Sequence, residues 1–342
     1  NPVNEIRELY MKKSKIVAGY IVLGLLILLL VPASLLLGSG LDIKGSLSAL
    51  SGQSAASRII WNIRLPRIAL ALVCGSVLAV CGAAMQGLFK NPLCDPHILG
   101  VSSGAGLGAA VAMALGLHGF SAGLAPVTVF AFGFSMLSIF LVTSVSRVGG
   151  RSGDLSLLLS GLAVSALMTA GVMLVMRLNR DKMENIIYWT MGSFSSAGWR
   201  QTVTCLPLSI AGSAGLLLHS RELDMLSQGE EWAASGGVNV QRTRALVLVS
   251  ASAATASVVS VSGVIGFVGL MVPHVIRLLF GPSHKSLMPL SMLAGGFFLL
   301  LMDTLARSLA APMEIPVGIL TALCGAPFFL FLLRKKVAAD YD

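Results

Sequence analysis

Charge is scarce in this sequence: Asp, Glu, Lys and Arg make up 11% of its 342 residues, where a soluble domain carries about 25%. That shortage excludes a water-exposed globular surface. With hydrophobic residues at 55% and a mean hydropathy of +0.85, an integral membrane protein remains. The apolar residues fall in long stretches, which fit helical spans better than the short alternating strands of a barrel. No G-x-x-x-x-G-K-[ST] loop occurs, so the chain is expected to hydrolyse no ATP itself. There is no H-E-x-x-H, no G-x-S-x-G and no pair of intramembrane carboxylates, and an intramembrane enzyme is set aside on that ground. Cysteine is limited to Cys74, Cys81, Cys94, Cys205 and Cys324. They form no C-x-x-C pair and no ligand spacing, so they read as small residues packed between helices, with no metal or cofactor expected in the chain.

Apolar residues are abundant, in stretches of roughly 18 to 25, each long enough for a helix to cross about 30 Å of hydrocarbon. Polar breaks divide the chain into ten expected spans at 16–38, 66–86, 96–116, 124–146, 155–177, 199–219, 243–262, 270–281, 287–308 and 315–333. The organisation expected is a segment 1–15 in the cytoplasm, a transmembrane domain over 16–333 and a cytoplasmic tail over 334–342. The eighth stretch is too short to cross alone. Gly263, Gly266 and Gly269 precede it and Pro273 follows, which predicts a broken helix whose freed backbone groups are buried in protein. Gly104, Gly106 and Gly108 lie inside an apolar run and suit close helix packing. The net charge of +9 falls in short loops and at span ends, a pattern of membrane orientation rather than of nucleic-acid binding. The resulting reading is a multi-pass protein with both termini cytoplasmic. About 9 of the 24 Lys and Arg residues nonetheless face outward, a weaker bias than orientation alone gives.

The longest hydrophilic stretch runs from Ser220 to Arg244 and holds Glu222, Asp224, Glu230 and Glu231. It is expected to form two short helices broken at Gly236-Gly237. A connection between antiparallel helices needs only about 2 to 8 residues, so the extra length suits either a solvated connector or a docking element for a cytoplasmic partner.

Several blocks carry a family resemblance. Arg64-Leu65-Pro66-Arg67, then Gln86 followed by Asn91-Pro92-Leu93-Cys94-Asp95-Pro96 and Leu99-Gly100, resembles the RLPR and Q-x4-NPLA-x-P-x-x-LG blocks of the iron-chelate, haem and cobalamin permeases. Gly266-Phe267-Val268-Gly269-Leu270-Met271-Val272-Pro273-His274 with Arg277 is similar to GFVGL-x-x-PH-x-x-R. Asp303 with Arg307, Glu314-Ile315-Pro316-Val317-Gly318 and Gly325-Ala326-Pro327-Phe328 resemble the remaining blocks. The resemblance spans about 57 to 333, in order. It implies the all-α permease fold of a type II ABC importer, ten helices per subunit, as a homodimer in the bacterial inner membrane among its lipids. It further implies two ATP-binding cassette subunits that bind the ATP and Mg, and a substrate-binding protein that delivers the cargo. By the same resemblance, coupling to the ATPase falls to Leu223, Leu226, Glu230, Glu231, Ala233, Gly237 and Val238, although Ser227-Gln228-Gly229 departs from the family's L-G before the glutamate.

Arg64, Arg67 and Arg307 match rim arginines that, in the family, meet glutamates of the binding protein. They equally suit pairing of Arg307 with Asp303 one turn earlier and anchoring of a helix start at the headgroups. Asn91, Pro92 and Leu93 match the family's cytoplasmic gate, or else form a plain proline-defined turn. The loop from Arg151 to Asp154 is a candidate for the gate's other half. Met168, Met173 and Met176 suit ordinary packing better than a lined path, and His274 with Arg277 suits a structural hydrogen bond better than metal ligation. An iron–siderophore leads as cargo, with haem or cobalamin next. An ion-gradient-driven secondary transporter is the alternative, and it requires carboxylates near the bilayer midplane. Only Asp303 and Glu314 approach that position.

Overall fold

The computed structural model describes residues 2–37, 55–117, 125–146 and 154–341. All regular structure in them is helical, as a bilayer requires of a chain whose backbone polar groups find no water there. Helix α1 (Pro2–Leu36) is followed by a short α2 (Ala55–Ile59), which leads through a π-helical turn at Ile60–Arg64 into α3 (Leu65–Leu88). Next come a 3-10 turn at Pro96–Leu99, α4 (Val101–Ala114), α5 (Pro126–Ser146), α6 (Asp154–Leu178), a short α7 (Met183–Thr190) and α8 (Trp199–Leu218). The short α9 (Ser220–Gln228) and α10 (Glu230–Ser235) precede α11 (Val240–Ser262), α12 (Val268–Phe280), α13 (His284–Ser308) and α14 (Val317–Tyr341). Among the described residues seven helices are long and apolar enough to cross a membrane, and the apolar stretches Val101–Ala114, Val268–Phe280 and Val317–Phe331 are shorter. Together they give the ten spans in the expected order.

Three local expectations change. The third stretch, expected to be helical from 96, begins with a 3-10 turn: Pro96 starts it, the Asp95 side chain accepts from the His97 N–H, and left-handed Gly100 (φ 77°) ends it. The helix that follows has 14 residues, about 21 Å, so α4 falls short of a full crossing. Helix α7 lies in a stretch expected to be a connector. The break between the two short helices stands at Gly229 (φ 145°, ψ 147°), a backbone region essentially reserved for glycine, whereas Gly236-Gly237 ends the pair.

Helix α3 is the central post. In the 18-residue apolar window of the span that contains it, 78% of residues are buried, against 6% for α1. Lipid tails are as apolar as leucine, so such packing relies on close backbone approach rather than on hydrophobic exclusion. Gly75 of α3 and Gly295 of α13 face each other so closely that a Cβ on either would overlap the other's carbonyl oxygen; a Cβ on Gly82 would overlap the Gly269 carbonyl of α12, and one on Gly269 the Leu78 carbonyl. Gly104 and Gly108 of α4 lie against the Phe134 and Phe130 carbonyls of α5, the close packing that their spacing suggested. Small polar groups add bonds between helices: Ser76 Oγ donates to the Met292 carbonyl (2.8 Å), Ser135 Oγ to the Val101 carbonyl (2.9 Å), and Ser209 pairs with Ser257 (3.0 Å). Cys74, Cys81, Cys94 and Cys205 are buried as free thiols, and Cys324 is exposed.

Gly82→Leu or Gly295→Val is expected to lower the thermal unfolding midpoint of the detergent-purified protein. The loss should exceed the about 1–3 kcal/mol typical of overpacking, because the obstruction is backbone. Gly133→Ala, where nothing lies within 4 Å of an added Cβ, is expected to leave the midpoint unchanged.

Candidate functional site

Two polar clusters lie at opposite ends of the bundle, joined by α13, whose 25 residues span about 37 Å. At one end Arg67 bonds Asp303 through Nε (3.0 Å) and Nη2 (2.8 Å), and Glu314 through Nη1 (2.8 Å). Arg307 approaches Asp303 one turn earlier (3.3 Å) and donates to Ser34 Oγ (2.6 Å) and the Ser34 carbonyl (3.2 Å). Arg64 donates to the Leu35 carbonyl (2.5 Å). Arg64, Arg67 and Arg307 are 3–5% exposed, and Asp303 is fully buried. The arginines therefore face inward and tie α1, α3, α13 and the Glu314 turn together. The expected pairing of Arg307 with Asp303 one turn earlier is present, and at 3–5% exposure the three side chains present little guanidinium surface.

The other cluster forms around the broken helix. Pro273 has no N–H, so the Gly269 carbonyl, four residues earlier, loses its helical donor. Gln86 of α3 supplies one: its Nε2 donates to the Gly269 (3.3 Å) and Leu270 (3.1 Å) carbonyls. In the extended segment before α12, the Ile265 carbonyl accepts from His97 Nε2 (3.1 Å), so that nitrogen carries the proton and Nδ1 accepts from Ser102 Oγ. The predicted burial of the freed backbone groups is thus met by two side chains. Gln86 Oε1 in turn accepts from Arg277 Nη2 (3.3 Å), while His274 makes an edge-on ring contact with Phe328.

The Asn91–Pro96 loop leaves from the same place. Asn91 N–H donates to the Gln86 carbonyl (3.2 Å), and the Asn91 side chain accepts from the Leu93 N–H (3.0 Å). Pro92 and Leu93 are exposed, Asn91 is half-buried, and Asp95 beneath them is buried. The loop is held by its own bonds, with its apolar tip free. Residues 151–153, in the candidate second half of the gate, lie outside the described residues. Met168 is buried, Met176 packs on Ala110, Val172 and Ile186, and Met173 is 61% exposed.

The helix pair α9–α10 lies at this end as well. Leu223, Leu226 and Ala233 are buried against the bundle and act as its anchors. Glu230, Glu231 and Gly237 are exposed and Val238 is half-buried, and Glu230 pairs with Arg244 (2.8 Å). Two residues to which the sequence reading assigned no role stand out. Trp232 is 52% exposed, an unusual place for an indole and one for which a tryptophan inside a hydrophilic stretch was the available signal. Asp224 reaches across to the start of α13: it accepts from the His284 backbone N–H (2.7 Å), His284 Nδ1 (2.7 Å) and Ser283 Oγ (3.0 Å). Burial alone pushes the Asp224 carboxyl up. The bonds from the His284 side chain and backbone outweigh it and hold the group below its ordinary value. Its stabilising contribution is therefore complete above the usual carboxylate range and is lost only as pH falls below it.

A helical bundle with one broken helix, a proline-flanked loop beside the break and an exposed helix pair at the same end has the architecture of a membrane-spanning ABC permease. The chain belongs to the FecCD transport family, which it matches over residues 25–335. It is 44% identical over 281 residues to the cobalamin import system permease protein BtuC of Halobacterium salinarum, covering 82% of this chain and 74% of the relative. It is 43% identical over 286 residues to the hemin transport system permease protein HmuU of Yersinia pestis, covering 81% and 84%. Among solved structures, a metal-chelate-type ABC transporter in an inward-facing conformation superposes with a TM-score of 0.82 at 36% identity, covering 92% of this chain and 98% of that one.

Removing one partner of a buried ion pair leaves the other uncompensated, at a cost of about 3–5 kcal/mol. Asp303→Asn is therefore expected to reduce the yield and melting temperature of the purified protein sharply. Arg67→Met and Arg307→Met combined with Asp303→Leu and Glu314→Gln, which removes both buried arginines of the cluster along with their carboxylates, should recover part of that loss, which thermal unfolding in detergent measures.

Proposed function

We propose that this chain is the membrane-spanning subunit of an ATP-driven importer for a metal chelate, working as a homodimer with two separate ATP-hydrolysing subunits and an external binding protein. The observation that carries the energy-coupling part is the exposed face of α9–α10. A helix pair anchored by Leu223, Leu226 and Ala233, presenting Trp232, Glu230 and Glu231 to water, has the form of a docking surface: an aromatic centre with a charged rim. On this reading that end faces the cytoplasm, as do both termini, and the ATP and Mg belong to the partner subunit. The exposed apolar face of α6, with Leu159, Leu162 and Leu167 each more than half exposed, suits a second copy of the chain.

The cargo reading, an iron–siderophore first and haem or cobalamin next, rests on the family and on relatives named for cobalamin and hemin. An open hollow of about 470 Å³ lined by Thr190, Met191, Gly266, Phe267, Gly318, Ile319, Ala322 and Leu323 offers such cargo a largely apolar surface with no charged side chain. That suits loose passage, with selection left to the binding protein. A secondary transporter is disfavoured because Asp303 and Glu314 are both committed to Arg67.

In proteoliposomes, the chain with its ATPase and binding protein is expected to take up chelate only with ATP; uptake driven by an ion gradient alone would overturn the reading. Deleting Glu222 to Val240 is expected to leave an inserted protein that no longer co-purifies with the ATPase. Replacing Asn91 or Leu93 with glycine should make the same liposomes leak chelate without ATP, and unchanged tightness would reduce the loop to an ordinary turn.

A further inference from the structure

We propose that Asp224 is a positioning residue that transmits movement of the α9–α10 pair to the Asn91 loop; this rests on the reading of that pair as the ATPase contact. Of the two short helices, α9 is the one fastened to a transmembrane helix by a carboxylate with both oxygens engaged. Asp224 Oδ1 takes the His284 backbone N–H and ring N–H, and Oδ2 takes the Ser283 hydroxyl, across some 60 residues of sequence. The acceptor stands at the N-terminus of α13, whose own N-cap Ser283 makes no side-chain cap bond. Asp224 is therefore the cap of α13 supplied from another element, and the positive end of that helix strengthens the attraction.

The contact continues inward without a gap. The His284 ring is 1% exposed and lies against the last turn of α3, where a Cβ on Gly87 would overlap its Nε2 and the carbons beside it. The neighbour of Gly87 is Gln86, which holds the Gly269 and Leu270 carbonyls beside the helix break with its side chain and the Asn91 N–H with its backbone. A shift of α9 must therefore move His284, and His284 cannot move toward α3 without displacing the turn from which the Asn91 loop hangs. Close-packed side chains do not deform continuously, so such a contact passes displacement on rather than absorbing it. Arg277, bonded to Gln86 and within electrostatic reach of Asp224, ties the same groups by charge. Trp232, Glu230 and Glu231 touch none of these groups in the bonds described, which separates the docking face from the transmitting one.

The test uses the complete complex in proteoliposomes with Asp224→Asn, His284→Gln and the double variant, reading ATP hydrolysed, chelate transported and ATPase co-purified. Each single variant is expected to assemble and hydrolyse ATP near the wild-type rate while chelate moved per ATP falls at least tenfold. The double variant should be no worse than either single one, because both act through one contact. Wild-type transport per ATP in Asp224→Asn, losses that multiply in the double variant, or loss of ATPase binding by the single variants would each overturn the proposal, the last by reducing Asp224 to a fold contact. A wild-type complex without ATP-dependent uptake would instead remove the importer reading and this inference with it.

Discussion

A polar group inside a bilayer has no water to turn to, and the internal arrangement of this protein follows from that constraint. A guanidinium near a helix end must find carboxylates or carbonyls, and a carbonyl orphaned by proline must find a donor. Arg67 meets Asp303 and Glu314 at one end of the bundle, and Gln86 meets Gly269 and Leu270 at the other. Both Arg67 and Gln86 belong to α3, nineteen positions apart on one rigid helix. The most buried helix is the one that carries the satisfying groups, because only a helix surrounded by others can offer polar side chains to several of them at once.

Glycine lets those groups reach. Short side chains such as Ser76 and Ser135 reach a carbonyl of another helix only where the two backbones run close. Gly75 against Gly295 and Gly82 against Gly269 give that approach. The same pairs fix register: sliding α13 along α3 by one residue would put Ala294 or Gly296 opposite Gly75 and pull Asp303 away from Arg67. Packing and polar satisfaction thus specify one arrangement twice, which is how a membrane bundle achieves a unique fold with little hydrophobic difference between its interior and its solvent.

Much of this was legible in the sequence, and what was not follows a pattern. Span number and order were readable because an apolar run of bilayer length has one interpretation in a chain so poor in charge. The break before α12 was readable from Gly263, Gly266, Gly269 and Pro273, residues whose backbone limits hold in any context. The directions of Arg64, Arg67 and Arg307 were not, since an arginine at a membrane boundary serves equally at the surface or in a buried pair, and its partner Glu314 lies 247 residues from Arg67. Asp224 was named without a role for the same reason: in a hydrophilic stretch one more carboxylate carries no signal until the start of α13 is seen beside it. The shortness of α4 was hidden because Pro96 to Leu99 joins the apolar run without a polar break, yet folds as a separate 3-10 turn that left-handed Gly100 closes. Local backbone chemistry is written locally; the sign and distance of a long-range pair are not.

The break in α12 also shows how a strained element persists. Phe267 holds a left-handed φ of 67°, a conformation that costs a bulky residue on the order of 1–3 kcal/mol and survives only where its surroundings over-determine it. They do so from three sides. Gly325 of α14 leaves no atom where the Phe267 ring and Cβ lie, His97 holds the Ile265 carbonyl before it, and Gln86 holds the Gly269 and Leu270 carbonyls after it. Gln86 and His97 are also the residues that bracket the Asn91–Pro96 loop in the chain. The loop cannot shift its flanks without releasing the Ile265, Gly269 and Leu270 carbonyls, of which Gly269 has lost its helical donor to Pro273, and the break cannot straighten without freeing Gln86 and His97 from their acceptors. Loop conformation and helix break thereby rest on the same two side chains.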